Sequence, residues 1–169
     1  MESIEYLYDL LNKSNFITIG YTFQDERIKD EFISKLPHMV INEEIDSSFS
    51  FKSIIRDNKL ESLLDNKDLI IPEYFVIDYD KVSFPNIDSM ARYLRLKSTL
   101  QNLRSVGIEN NIKVIFTSPI YRSANEDNIK GGSTPMYIAD LVLMLNGGNC
   151  IIKKNRFDKD NKTISLNGL

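Results

Sequence analysis

Phe16-Ile17-Thr18-Ile19-Gly20 is a short apolar run, rich in β-branched residues, that ends at a glycine. Runs of this kind are typical of buried β-strands. The segment from Asp25 to Leu36 follows, and its apolar side chains recur at helical spacing: Ile28, Phe32, Ile33 and Leu36. A buried strand that leads directly into a helix is typical of a parallel-sheet unit, so this stretch predicts an α/β fold.

The same alternation of helix and strand is found in the rest of the chain. Residues 1–13 predict an amphipathic helix, and residues 86–106 predict a long helix that Gly107 caps. Residues 42–68 predict one or two short helices, and 118–134 a polar loop. Four more apolar runs predict strands, at Met39–Ile41, Tyr74–Ile77, Lys113–Phe116 and Leu141–Leu145. Nearly continuous apolar strands indicate a mostly parallel sheet that is covered on both faces.

The last strands are predicted without helices between them. Residues 150–154 and 163–166 flank a turn, so they should form antiparallel strands on one edge of the sheet. The sequence therefore predicts a single domain over residues 1–169. Its parts are an N-terminal helix (1–13), a parallel core (16–145) and a C-terminal hairpin (150–166).

The composition is ordinary for a globular protein and disfavours several classes of function. Hydrophobic residues make up 42% and charged residues 27% of the 169 residues. The formal net charge is −3, which does not favour autonomous binding to nucleic acid. No apolar run approaches the roughly 20 residues that cross a bilayer, and the N-terminus has no secretory signal. We therefore expect a cytoplasmic protein with no membrane partner.

Cysteine and histidine usage argues against a metal centre. The only cysteine, Cys150, lies in an apolar run, which predicts a core residue and excludes a disulfide within the chain. The only histidine, His38, has no cysteine or carboxylate partners at ligand spacing. We therefore expect no bound metal.

The loop between the first strand and its helix resembles a phosphate-binding loop that has lost its key residues. In the motif G-x-x-x-x-G-K-[ST], backbone N–H groups cradle phosphates, the Lys reaches the outer ones and the Ser/Thr holds magnesium. Here Gly20 is in place, but Asp25, Glu26 and Arg27 occupy the Gly, Lys and Ser/Thr positions. Two carboxylates would repel a triphosphate, and they predict a helix that is capped by its own acids.

Asp78 ends the apolar run Tyr74–Ile77. An acid at the carboxyl end of a buried strand is the Walker B pattern, in which the carboxylate orients magnesium. Many strands end in Asp without such a role, so the pattern alone has little specificity.

The order of segments in the second half carries a more specific resemblance. The strand at Lys113–Ser118 follows a long helix, and Gly131-Gly132-Ser133-Thr134-Pro135-Met136-Tyr137-Ile138-Ala139-Asp140 precedes the next strand. This Gly-Gly-x-x-Pro-x-Tyr-x-Ala-Asp segment resembles phage-type RecA recombinases. The strand end Lys153-Lys154-Asn155-Arg156 resembles DnaB-type hexameric helicases. The chain from Phe16 to Leu166 is thus similar to the RecA-like ATPase core, which implies a three-layer α/β architecture.

The resemblance implies roles for residues around a nucleotide pocket. Asp78 matches the Walker B acid, and Glu43 or Glu44 could match the catalytic glutamate that follows the second strand. Where the family carries Ser/Thr-Gln as a γ-phosphate sensor, this chain has Ser118-Pro119. The sensor is therefore missing in addition to the loop lysine.

The resemblance also implies roles for two groups of basic residues. Lys154 and Arg156 match the pair that, in ring helicases, reaches the nucleotide of the neighbouring subunit; the alternative is two solvated charges at a strand end. The region from Tyr121 to Lys130 matches the family's DNA-binding loop. Its basic residues Arg122 and Lys130 stand beside Glu126 and Asp127, so a solvated loop is the alternative.

These losses lead to three hypotheses. The first is a pseudo-ATPase without cofactor that acts by association in DNA recombination or replication. Its partner would be a RecA- or DnaB-like ATPase or another copy of the chain. The second is an active NTPase that uses ATP and magnesium, with Arg27 or another base in place of the missing lysine. The third is a DNA-binding or structural descendant, for which weak binding to single-stranded DNA is the expected activity.

The resemblance also makes a geometric prediction. Gly20, Asp78 and Ser118 should lie together at the carboxyl ends of five parallel-type strands, where α/β proteins bind their ligands.

Overall fold

A computed structural model describes residues 3–45, 73–82, 89–123, 126–158 and 162–169. The helices are α1 (Ile4–Lys13), α2 (Glu26–Ser34), α3 (Ser89–Glu109) and α4 (Thr134–Ile138). The strands are β1 (Phe16–Tyr21), β2 (His38–Val40), β3 (Tyr74–Asp78), β4 (Lys113–Ser123), β5 (Glu126–Ile129), β6 (Leu141–Asn146), β7 (Asn149–Asn155) and β8 (Thr163–Ser165).

The strands form one mixed sheet. Its order is β2-β3-β4-β1-β6-β7-β8, and β5 pairs with β4 outside this path. The five strands β2, β3, β4, β1 and β6 are parallel, whereas β7 and β8 are antiparallel additions at the β6 edge. The predicted α/β fold with a mostly parallel sheet and antiparallel C-terminal edge strands is confirmed.

Helices pack against both faces of this sheet, because alternate side chains of the strands point to opposite faces. Ile17 and Ile19 of β1 belong to the apolar cluster that includes Leu7, Leu10 and Phe32 of α1 and α2. Phe16 on the same strand belongs to the cluster on the other face, which contains Leu96, Leu100 and Leu103 of α3. All six residues of β1 are buried, as expected for a central strand covered on both sides.

The predicted polar loop at 118–134 is wrong. The strand β4 continues to Ser123 and pairs antiparallel with β5, with Ile120 opposite Ile129 and Arg122 opposite Asp127. Only Ile129 of β5 has a fully buried apolar side chain among its described residues. A polar hairpin of this kind lacks the apolar alternation by which strands are recognised.

The predicted cap at Gly107 is also wrong, because α3 continues to Glu109. The left-handed residue that ends the helix is Asn111, with φ of 57°. The amide of Ile112 donates to the carbonyl of Gly107 at 2.8 Å and that of Asn111 donates to Ile108 at 3.3 Å, which is a Schellman ending. Gly107 is needed for space instead, since a Cβ there would lie 2.5 Å from the Ile112 carbonyl oxygen.

The other predicted helices and strands that lie among the described residues agree with the structure within a few residues at their ends. The second helix is Glu26–Ser34 rather than 25–36, and β3 includes Asp78. Most of the segment predicted as short helices, residues 46–68, lies outside the described residues, as do residues 86–88 of the long helix. In the described part of the chain, no helix has the length and apolarity needed to cross a bilayer.

Candidate functional site

The connections of the sheet diverge at the carboxyl ends of β1 and β4. The chain leaves β1 toward α2 on one face, whereas it leaves β4 toward α4, which packs with α3 on the other face. Adjacent strands whose connections diverge in this way create the crevice where ligands bind in α/β proteins. Gly20 pairs with Ser118, and Asp78 pairs with Thr117 on the next strand. The predicted clustering of Gly20, Asp78 and Ser118 is therefore confirmed.

The protein's own side chains fill the crevice beside Gly20. A Cβ at this glycine would lie 2.9 Å from Ile129 Cγ1 and 2.9 Å from Met144 Sδ. Ile129 belongs to the β4–β5 hairpin and is 1% exposed. The Ser118 hydroxyl donates to the Lys130 carbonyl at 2.8 Å, which holds the end of the same hairpin over the sheet. The glycine thus accommodates a packed isoleucine.

Asp25 is buried and binds the turn between β6 and β7, whereas it was expected to cap α2. Its carboxylate accepts the N–H groups of Gly147 and Gly148, each at 2.9 Å, and the hydroxyl of Thr22. It makes no side-chain bond to α2, so the predicted capping of this helix by its own acids is wrong at Asp25. Burial raises the pKa of Asp25, but the three hydrogen bonds outweigh burial and hold the pKa below its usual value.

Glu26 and Arg27 lie in the first turn of α2. Glu26 is exposed, and Arg27 forms an exposed ion pair with Glu31, in which Arg27 Nε lies 3.4 Å from a carboxylate oxygen. A pair with this i,i+4 spacing runs along the surface of the helix. The side chain of Arg27 is 89% exposed, so it does not lie where the missing loop lysine would act.

Asp78 is held by internal hydrogen-bond donors. Its Oδ2 accepts the Tyr21 hydroxyl at 2.8 Å and the Thr117 hydroxyl at 2.7 Å, and its Oδ1 accepts the Asp80 amide at 3.3 Å. Burial and the neighbouring Asp78 carboxylate raise the pKa of Tyr21, which keeps the phenol protonated as a donor. The carboxylate is thus oriented by β1 and β4.

A cavity of about 290 Å³ adjoins Asp78 on the α2 face. Thr117, Lys29 and His38 also line it. Lys29 is 8% exposed, and its Nζ lies 4.3 Å from the centre of the Tyr21 ring and 3.2 Å from Asp30 Oδ1. Lys29 lies one turn before the buried residues Phe32 and Ile33, so it falls on the apolar stripe of α2, and this spacing is the signal in the sequence for its burial.

His38 has a defined orientation at the edge of this cavity. Its Nδ1 lies 2.8 Å from the carbonyl oxygen of Leu36. This contact puts the proton of the neutral ring on Nδ1 and the lone pair on Nε2. The cavity therefore combines two carboxylates (Asp30 and Asp78), a buried amine, a hydroxyl and an imidazole, which is a set able to hold a small polar ligand.

Glu43 and Glu44 are exposed and lie beyond the end of β2. Two strands, β3 and β4, separate β2 from β1 in the sheet. With neighbouring strands about 4.8 Å apart, three spacings put these glutamates about 14 Å from β1. The structure does not bring them to the crevice beside Gly20.

Lys154 and Arg156 lie at the opposite end of the sheet. Lys154 pairs with Val142 near the start of β6, and the Arg156 amide donates to the Asp140 carbonyl. Since the Asp140 amide donates to Phe16, this end is separated from Gly20 by most of the length of β1, about 13 Å. Lys154 Nζ donates to the carbonyls of Met136 and Tyr137 at 3.3 and 2.9 Å.

Asp140 is the buried acid at this end, and it was not predicted as a site residue. Its carboxylate lies 3.2 Å from Arg104 and 2.5 Å from Arg156, and it accepts the amides of Asn15 and Phe16. Burial raises the pKa of Asp140, but the bonds from Arg104 and the two amides outweigh it and hold the pKa below its usual value. The acid joins α3, β1 and the end of β7.

The predicted DNA-loop residues Arg122 and Lys130 are exposed; Arg122 lies on β4, and Lys130 directly follows β5. Lys130 Nζ lies 6.0 Å from the centre of the Tyr79 ring, and Arg122 pairs across the strands with Asp127. Cys150 is buried, and burial raises the pKa of its thiol. Among the described residues, no group of His, Cys, Asp and Glu side chains is arranged to hold a metal ion.

No family model matches this chain, and no curated protein matches it.

Proposed function

We propose that this protein is a non-catalytic relative of RecA-type ATPases, with a three-layer RecA-like core and no cofactor. It acts by association with an active RecA- or DnaB-like ATPase, or with another copy of itself, in DNA recombination or replication. The motifs of the second half and the position of Gly20, Asp78 and Ser118 at one crevice support the relationship.

The filled crevice is the observation that carries the loss of nucleotide binding. Ile129 packs against Gly20, so the space next to this glycine holds a side chain. Asp25 adds a buried negative charge a few residues further along the loop, where it would repel phosphate. The loop also lacks the lysine and the hydroxyl that bind phosphate and magnesium. Losing both charge-assisted contacts costs several kcal/mol, on the order of a hundredfold or more in affinity.

The basic pair favours a partner at the other end of the sheet. Lys154 is held against the last carbonyls of α4, and Arg156 is held by Asp140 while its side chain is 51% exposed. A pair fixed in this way presents positive charge to a neighbouring molecule. The pair lies far from the crevice, as expected for an association surface that is separate from the nucleotide site.

Titration with a fluorescent ATP analogue and magnesium tests the loss of the nucleotide site. We expect no binding at the crevice up to about millimolar concentration, which corresponds to less than about 4 kcal/mol of binding free energy. Binding in the micromolar range that Asp78→Asn abolishes would contradict the proposal. Lys97→Gln, a change on α3, is the control. Binding that this substitution abolishes, and that Asp78→Asn does not, lies elsewhere on the surface and not at the crevice.

The association is tested with a purified RecA- or DnaB-type ATPase from the same source, and with the protein alone, by sedimentation velocity. Alanine at both Lys154 and Arg156 should weaken the complex at least tenfold, because two charged contacts are lost. Lys153→Ala removes an exposed charge from the same strand and should change little. Equal binding by the double variant and the control would overturn this part of the proposal, provided both variants remain folded by circular dichroism.

The cavity beside Asp78 favours a second candidate function. In this candidate the protein is an active NTPase, and a different basic residue binds the phosphate in place of the missing loop lysine. Lys29, rather than Arg27, would supply the positive charge, because it lines the same cavity as Asp78 and Thr117. Magnesium-dependent hydrolysis that is lost in both Lys29→Gln and Asp78→Asn would establish this candidate. Hydrolysis that is unchanged in either variant would exclude it.

A further inference from the structure

A groove separate from the crevice runs between α3 and α4. Its α3 side is formed by Tyr93, Lys97, Gln101 and Arg104, whose spacing of three or four residues places them on one side of the helix. The facing wall is formed by Ser133, Thr134, Tyr137 and Ile138, and Arg156 also lines the groove. The volume is about 550 Å³, within the range of pockets that hold small organic ligands. We call this feature the α3–α4 groove.

The α3–α4 groove is positively charged in an acidic protein. Lys97, Arg104 and Arg156 line it, and none of its lining residues is acidic. The buried Asp140 behind them neutralises one charge, so three cations and one carboxylate leave two positive charges. Because the whole chain carries a net charge of −3, this excess is local and not a consequence of overall composition.

The two arginines are held in place before any ligand arrives. Arg104 donates through both terminal nitrogens to Asp140 and also contacts the Ile138 carbonyl at 3.4 Å, while Arg156 reaches the same carboxylate. A guanidinium carries five N–H donors, and these bonds use only part of them. The remaining donors suit the oxygens of a phosphate, which arginine binds in a planar, bidentate manner.

Aromatic rings lie beside the cations. Tyr137 is 85% exposed and Tyr93 is 43% exposed, and both line the groove. Positive charge that alternates with exposed aromatic rings is the arrangement by which proteins bind single strands, with phosphates on the cations and bases stacked on the rings.

We propose that the α3–α4 groove binds a nucleotide unit of single-stranded nucleic acid. The phosphate lies among Lys97, Arg104 and Arg156, and the base stacks on Tyr137. This site goes beyond the proposed function, in which Lys97 and Tyr137 take no part. A free nucleotide offers the same phosphate and ring, so the test includes both sources.

Fluorescence anisotropy with a labelled oligothymidylate of about 8 nucleotides tests the site. Lys97→Gln and Tyr137→Ala should each weaken binding about tenfold, through loss of a phosphate contact and of a stacking surface. Lys97→Gln should also lower the slope of log affinity against log salt by about 1, whereas Tyr137→Ala should leave the slope unchanged. The matched controls are Lys35→Gln and Phe23→Ala, which remove an exposed lysine and an exposed aromatic ring away from the groove.

Competition with thymidine monophosphate distinguishes the two sources. Displacement only by unlabelled oligomer assigns the groove to a strand, and displacement by monophosphate at a similar concentration assigns it to a free nucleotide. The proposal is overturned if wild-type protein does not bind the oligomer, or if the groove variants and the controls bind it equally. Neither result bears on the ATP titration at the crevice, where Asp78→Asn is the diagnostic change.

Discussion

At the scale of single residues, Asp25 gives a structural role to the loop that resembles a phosphate cradle. Its carboxylate accepts the N–H groups of Gly147 and Gly148, whose φ angles are 62° and 79°. Successive backbone N–H groups in a turn form a concave site for an anion, and here the anion is a side chain of the same protein. The β1–α2 loop is thereby fixed to the β6–β7 turn.

Asp25→Asn should destabilise the protein by about 1–3 kcal/mol, because charge-assisted bonds to two backbone amides are weakened or lost. Urea unfolding followed by circular dichroism measures this free energy. Glu26→Gln is the matched control, since it removes the neighbouring exposed carboxylate and should change stability by less than about 0.5 kcal/mol. Equal effects of the two substitutions would show that the buried bonds of Asp25 contribute nothing specific.

At the scale of elements, the end of α3 depends on a left-handed asparagine rather than on the glycine that precedes it. Gly107 lies within the helix and gives space to the Ile112 carbonyl, while Asn111 adopts the positive φ that lets the chain turn into β4. Glycine and asparagine are both common at such positions, so the nearest glycine in the sequence was an incorrect choice.

Asn111→Ala should cost about 1 kcal/mol, because a residue with a Cβ and without a short polar side chain is disfavoured in the left-handed region. Asn111→Gly keeps that conformation accessible and should lie closer to the wild type in urea unfolding. If alanine were tolerated as well as glycine, the left-handed turn would not be what ends the helix.

At the scale of the whole molecule, two buried carboxylates connect distant parts of the sheet. Asp25 connects the carboxyl end of β1 to the β6–β7 turn, and Asp140 connects α3, β1 and β7 at the other end. Hydrogen bonds hold the pKa of both below the ordinary value of 3.8. A folded pKa below the unfolded one contributes stability above the unfolded pKa, and this contribution is lost as the pH falls through the folded pKa.

The free energy of unfolding should therefore decrease as the pH falls below about 4. Asp140→Asn should lower stability at neutral pH by about 3 kcal/mol, because it leaves Arg104 and Arg156 without their buried carboxylate. Its effect should shrink in acid, where wild-type Asp140 is itself protonated. Asp9→Asn, which removes an exposed surface pair with Lys13, should cost only a few tenths of a kcal/mol at either pH. A constant difference between wild type and Asp140→Asn from pH 7 to acid would contradict the assignment.

The sequence by itself determined the order and type of the main elements and the meeting of Gly20, Asp78 and Ser118 at one edge. Apolar period and β-branched composition specify buried strands locally, and the carboxyl ends of parallel strands must share an edge. Only the tertiary structure decided what occupies that edge. The packing of Ile129 on Gly20, the bonds from Asp25 to Gly147 and Gly148, and the burial of Lys29 all depend on side-chain directions and on segments far apart in the chain. Residues 133–138 and Arg156 face α3 for the same reason, so a charged groove that no local motif announces exists only once the chain has folded.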